Sequence, residues 1–132
     1  MARQEEVVLA LDAGALISAE NDERTQAIIR EWTRHGATII IPSVVLAEVM
    51  RGGPRDASAN RIVKAVDVIA PVDETIGRTA GALLQRSGGG ASRTIDAIVV
   101  ATAEHHGAKN IVTTDPADIE RLGSGRIKAI AI

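Results

Sequence analysis

The segment Val7-Val8-Leu9-Ala10-Leu11-Asp12-Ala13-Gly14-Ala15-Leu16-Ile17 constrains this chain more than any other, because a single carboxylate interrupts an otherwise unbroken apolar run. A run of that length suits a strand covered on both faces, and Ala13-Gly14 provides small residues for a tight exit into a short helix. Strands buried on both faces belong to parallel sheets. Asp12 is therefore expected at the C-terminal edge of such a sheet, where open α/β folds bind their ligands. An aspartate there also suits a helix cap or turn, and one acid does not separate the two roles.

The rest of the chain repeats the pattern. Asn21 or Asp22 is placed to cap a helix reaching His35, and Gly36 stops it. Residues 37–41 read as a second buried strand ended by Pro42. Residues 44–51 read as a helix closed by Gly52-Gly53-Pro54, with Glu48 set among Val44, Val45, Leu46, Val49 and Met50. Burying a carboxylate among such neighbours is costly unless a cation meets it; the alternative is that Glu48 marks a narrow solvent stripe. Residues 51–59 read as an exposed connection and 60–65 as a short helix. Residues 66–72, broken by Asp67 and Pro71, read as an edge strand, and Asp73 caps the helix that follows. Asp67 and Asp73 are assigned no catalytic role. Gly88-Gly89-Gly90 lacks the Lys and Ser/Thr of a phosphate-binding loop and reads as a linker.

Residues 92–107 are apolar almost all round between a Ser92 or Thr94 cap and the stop at Gly107, which predicts a central buried helix with Asp96 in its first turn. His35, His105 and His106 fall at helix ends and read as surface residues. Residues 111–114 form a short strand that delivers Asp115, as the first strand delivers Asp12, and Asp118 follows in the first turn of another helix. Residues 126–132 read as a closing edge strand. Strands separated by helices throughout predict one domain over 1–132, a three-layer α/β/α sandwich with a central, mostly parallel sheet.

Composition narrows the chemistry. The chain has no Phe and no Tyr, and Trp32 is its one Trp, so the core must be built from Val, Ile, Leu and Ala. The absence of cysteine removes disulfides and thiolate metal sites. A net charge of −2 does not imply a nucleic-acid partner, which would need local arginines or a metal. Residues 1–6 are polar and unlike a signal peptide, and no stretch is long and apolar enough for a membrane span, so a soluble cytoplasmic protein is expected.

Asp12 and Asp115 at strand ends, with Glu48 and Asp96 on helices opening nearby, bring four acids to one edge. Four carboxylates in one pocket repel, which is tolerable chiefly around divalent cations, and an all-oxygen set suits Mg²⁺ or Mn²⁺. Such ions activate water and neutralise charge on a phosphodiester, so metal-dependent phosphoryl transfer is the chemistry to expect.

Leu11-Asp12-Ala-Gly-Ala-Leu, Val45-Leu-Ala-Glu48, Thr94-Ile-Asp96-Ala-Ile-Val-Val-Ala-Thr-Ala and Val112-Thr113-Thr114-Asp115 resemble the four acidic motifs of PIN-domain ribonucleases, and more narrowly the VapC-type toxins of toxin–antitoxin pairs. The resemblance spans nearly the whole chain, in order. It implies that Asp12, Glu48, Asp96 and Asp115 hold Mg²⁺ or Mn²⁺ and activate the attacking water, with Thr113 orienting a ligand or binding substrate; Asp118, by its closeness to Asp115 alone, is either an auxiliary ligand or a first-turn capping acid. It also implies an RNA substrate, a homodimer and a small antitoxin partner. Many relatives carry an aromatic soon after the fourth acid, where this chain has Asp118-Ile119. With few aromatics to stack on bases, substrate contacts would fall to phosphate-binding arginines such as Arg51, Arg86 and Arg93. The alternatives are a PIN nuclease outside any toxin system, a receiver-like phosphoacceptor and a catalytically silent binding module. A receiver needs an adjacent acidic pair after the first strand, and Asp12 is flanked by Leu11 and Ala13.

Overall fold

Strand β1 (Val8–Leu11) runs through the middle of the molecule with every residue buried, so both of its faces must be covered by other elements. In the computed structural model, which describes residues 6–132, β2 (Thr38–Pro42), β3 (Val68–Ala70), β4 (Asn110–Thr113) and β5 (Lys128–Ala131) complete a five-stranded sheet ordered β3-β2-β1-β4-β5. Residues 1–5, most of the polar leader expected not to be a signal peptide, lie outside the described residues. All four pairings are parallel. The expected "mostly parallel" sheet is parallel throughout, and all its C-terminal strand ends share one edge.

Helices α1 (Ala13–Asn21), α2 (Glu23–Arg34), α3 (Ser43–Val49) and α4 (Ala57–Ala65) carry the chain outward from β1 to β3. Helices α5 (Glu74–Ser87) and α6 (Thr94–His105) return it to β4, and α7 (Pro116–Gly123) leads to β5. Right-handed crossovers running in opposite directions put the two sets on opposite faces, α1 packing with α2 and α4, and α6 with α5 and α7. Successive connections leave β1 and β4 in opposite directions, which makes this central pair the topological switch point of the sheet.

Helix α6 buries Ala97, Val99, Val100, Ala101, Thr102 and Ala103. A helix with no polar stripe is stable only when covered all round, and α5 supplies the outer cover with Ile76, Ala80 and Leu83. Asp67 accepts from the Ile39 N–H at 2.8 Å, and Asp73 caps α5 by accepting from the Ile76 N–H at 2.9 Å. The Asp73 cap is as expected, and Asp67 ties the chain entering β3 to β2.

Three local expectations change. Helix α3 stops at Val49, two residues early, because Met50 is extended. The Arg51 and Gly52 N–H groups beyond it bind the buried Asp56 carboxylate, at 3.1 and 2.7 Å respectively. The same acid folds the connection, which is exposed over 51–55 as expected, into a 3₁₀ turn at Pro54–Asp56 leading directly into α4, which therefore starts at Ala57 rather than at 60. Helix α6 follows a second 3₁₀ turn (Ala91–Arg93) and has no side-chain cap; the Thr94 hydroxyl donates back to the Ala91 carbonyl at 2.8 Å. No helix among the described residues is long and apolar enough to cross a membrane.

The last turn of α7 and the approach to β5 meet at Gly123, where an added Cβ would lie 2.7 Å from the Ile127 Cβ. Both partners are buried backbone-proximal carbons, so neither can swing away. Gly123→Ala is expected to lower stability by about 1–3 kcal/mol, read from denaturant midpoints at unchanged slope.

Candidate active site

Asp12 follows β1 directly and fills the capping role that its position allowed. Its Oδ1 accepts from the Ala15 N–H at 2.8 Å, capping α1, while the Asp12 N–H continues the sheet by donating to the Val112 carbonyl at 3.3 Å. The residue is only 7% exposed, and burial pushes its carboxyl above the ordinary range against the hydrogen bond from Thr113. The fully buried Thr113 links the two strand-end acids. Its hydroxyl bonds the Asp12 carboxylate, and its oxygen accepts the Asp115 N–H at 2.9 Å. One hydroxyl, being both donor and acceptor, thereby fixes the end of β1 to the turn after β4. Gly14 allows that approach, since a Cβ there would overlap the Thr114 side chain.

Asp96 stands half-buried in the first turn of α6. Its pKa is raised to about 6, first by burial, then by the charges of Asp115, Asp12, Glu48 and Asp118. Asp115 lies exposed at the start of α7, and a hydrogen bond shared with Asp118 holds its pKa up. Asp118, one turn on, is held below the ordinary carboxylate range by the Arg93 guanidinium with which it forms an ion pair. Carboxylate oxygens of Asp96, Asp115 and Asp118 all lie within 4.8 Å of one another.

Glu48 is exposed rather than buried. Helix α3 spans only seven residues, and with Val45 buried it leaves Ala47 and Glu48 facing outward. Its charge nonetheless contributes to raising Asp96. Of the three arginines proposed for substrate phosphate, only Arg93 pairs with an acid of the cluster. Arg51 donates to the Ala47 and Met50 carbonyls at 3.2 and 2.8 Å, closing the end of α3, and Arg86 is exposed near the end of α5. A hollow of ≈ 450 Å³ opens elsewhere, beside α1, α2 and α4, and none of these acids lines it.

Sequence reasoning ranked Asp118 as an auxiliary, yet it belongs to the tightest trio. The signal was present, because Asp115 and Asp118 sit three apart across a proline that starts a helix, which points both at one spot. The Arg93–Asp118 pair and the contact of Gly14 with Thr114 had no local signal. The resulting donor set is all oxygen, crowded and partly desolvated, which fits a hard divalent cation.

A family model described as PIN domain matches residues 9–124. No curated protein matches the sequence. Among solved structures, VapBC2 from Rickettsia felis, bound to a DNA fragment from their promoter, shares 18% identity at a TM-score of 0.75, covering 95% of this chain and 98% of that one. A toxin-antitoxin complex from Klebsiella pneumoniae shares 23% identity at a TM-score of 0.66, covering 83% and 88%. These likenesses establish the fold.

An acid whose pKa is raised on folding destabilises the folded state above that pKa, and the penalty lifts as pH falls through it. In chelator at pH 7, Asp96→Asn is therefore expected to melt at or above wild type, with the gap closing as pH drops below about 6. Excess Mn²⁺ should reverse the order, because the bound ion stabilises wild type by RT ln(1 + [L]/Kd) and the mutant loses most of that gain. Melts in which Asp96→Asn shifts equally in both conditions would mean that Asp96 is no ligand.

Proposed function

This chain belongs to the PIN domain family, and from that premise we propose that it is an endoribonuclease, dependent on Mg²⁺ or Mn²⁺, that acts as the toxin of a toxin–antitoxin pair. Members of the family are nucleases. The observation that carries the reading is the trio Asp96, Asp115 and Asp118 at the switch point of the sheet, near enough to Asp12 and Glu48 that their charges join burial in pushing Asp96 up to about 6.

Asp12, Asp96 and Asp115, joined by the accessible Glu48, would hold the ion, which when bound supplies charge neutralisation and an activated water for in-line attack on a phosphodiester. Thr113 keeps the Asp12 carboxylate and the Asp115 backbone in fixed relation. Asp118 supports Asp115 and, without the ion, keeps Arg93 beside the cluster. Burial of Asp12 limits its freedom to rotate, so its carboxylate is ready for a cation without reorganisation.

RNA is the substrate that fits best. Trp32 lines hollows with Val7, His35 and Ala37, beside the strand starts and away from the acids, so its ring is not a stacking platform for bases at the site. Recognition then rests on phosphate and shape, through Arg93 with Arg51 and Arg86. The toxin assignment draws on the two structural neighbours, each a toxin–antitoxin assembly. It carries with it a small antitoxin partner, a homodimer and a cytoplasmic place of action.

Purified protein is expected to cleave RNA with Mg²⁺ or Mn²⁺ and not in excess chelator. Asp12→Asn, Glu48→Gln and Asp96→Asn should each reduce cleavage by at least about a hundredfold, the scale of losing a charged group from such a site. Expression in bacteria should arrest growth, and the same substitutions should relieve the arrest. Metal-dependent cleavage without toxicity would point to a PIN nuclease that processes RNA outside any toxin system. Undiminished cleavage in chelator would refute the mechanism.

A further inference from the structure

We propose that Arg93 is an internal counter-cation of the acidic centre, paired with Asp118 while the centre lacks a divalent ion and displaced when one binds. This rests on the metal-dependent reading above. Arg93 ends the 3₁₀ turn that precedes α6, three residues before Asp96, and its guanidinium reaches across to Asp118 on α7. The pair is shielded, with side-chain exposures of 30% and 23%, unlike the fully surface-facing Arg78–Glu74 pair at 79% and 81%. Shielding matters because exposed pairs contribute little, while removing water strengthens the attraction between the same charges.

Asp118 also belongs to the trio whose oxygens lie within 4.8 Å. A divalent cation drawing on that trio would stand beside a guanidinium bound to one of its members, and the two positive charges would repel. Ion and arginine therefore compete for one cluster. By linkage, whatever free energy Arg93 contributes to the metal-free site is subtracted from metal binding. The glycine triplet, which the nuclease reading leaves without a role, fits this arrangement. A Cβ on Gly89 would lie 3.2 Å from the Arg93 Cδ, so the aliphatic stem of the arm rests against bare backbone.

The test is calorimetric titration of the full chain with Mn²⁺ at neutral pH, comparing wild type, Arg93→Gln, Arg93→Lys, Asp96→Asn and the control Arg78→Gln. Arg93→Gln should bind Mn²⁺ about fivefold or more tightly than wild type, the usual scale of coupling between two sites. Arg93→Lys keeps the charge without the fork and should fall between them, and Arg78→Gln should match wild type. In chelator Arg93→Gln should melt below wild type, with the deficit shrinking or reversing in saturating Mn²⁺. Equal affinity of Arg93→Gln and wild type, with Asp96→Asn impaired, would overturn the counter-cation and leave the metal site standing. No Mn²⁺ binding by any form would overturn both. If Arg93→Gln does not fold, an Arg93→Lys affinity equal to that of wild type is the overturning result.

Discussion

The carboxylate of Asp12 is satisfied by protein before any ion arrives, and much of the molecule depends on that. It is nearly fully buried, capped on one side by the Ala15 N–H and bonded on another by the Thr113 hydroxyl. These bonds tie the end of β1 to the start of α1 and to the end of β4, the three pieces that meet at the switch point of the sheet. A buried carboxylate without partners would cost several kcal/mol or shed its charge by taking up a proton. Here the hydrogen bonds hold the site in shape, and Gly14 leaves room for the Thr114 side chain beside it.

Crowding more acids around Asp12 raises the question of how the fold tolerates them. Part of the answer is that three helices begin at this edge. Asp12 precedes α1, Asp96 sits in the first turn of α6, and Asp118 in the first turn of α7. Helix N-termini present unpaired N–H groups and partial positive charge, which favour carboxylates. The remainder is met by Arg93 on Asp118 and by the hydrogen bond between Asp115 and Asp118. What is left over adds to burial, the larger cause, in raising the pKa of Asp96. The same unrelieved repulsion is the driving force for taking up a divalent cation, so the strain of the folded protein and its proposed activity have one source.

Much of this was legible in the chain. An unbroken apolar run ending in an acid located β1, a short β-branched run ending in another located β4, and the nearly all-round apolar character of residues 92–107 marked α6 as central. Asp22 and Asp73 announced their helices by capping, which depends only on residues two or three positions on. Features set by packing between distant elements were not legible. Glu48 was read against apolar neighbours that would bury it in a longer helix, but α3 has too few turns to cover every side. Asp56 looked like loop composition, and its role came from N–H groups left free by the early end of α3. Arg93 and Asp118 are twenty-five residues apart, brought together only by the seating of α7 against α6. The sheet is parallel throughout because even the closing edge strand is reached by a crossover helix, α7.

Everything proposed for this protein depends on acids from two strand ends and two helix starts forming one divalent-cation site. Crystals of the protein soaked in Mn²⁺ and measured at a wavelength where manganese scatters anomalously would test it directly. An anomalous peak is expected within ligand distance, about 2.2 Å, of oxygens from Asp12, Asp96 or Asp115, with the Arg93 guanidinium moved off Asp118. A difference map with no peak among these carboxylates at saturating Mn²⁺, or with manganese bound only at unrelated surface acids, would contradict it.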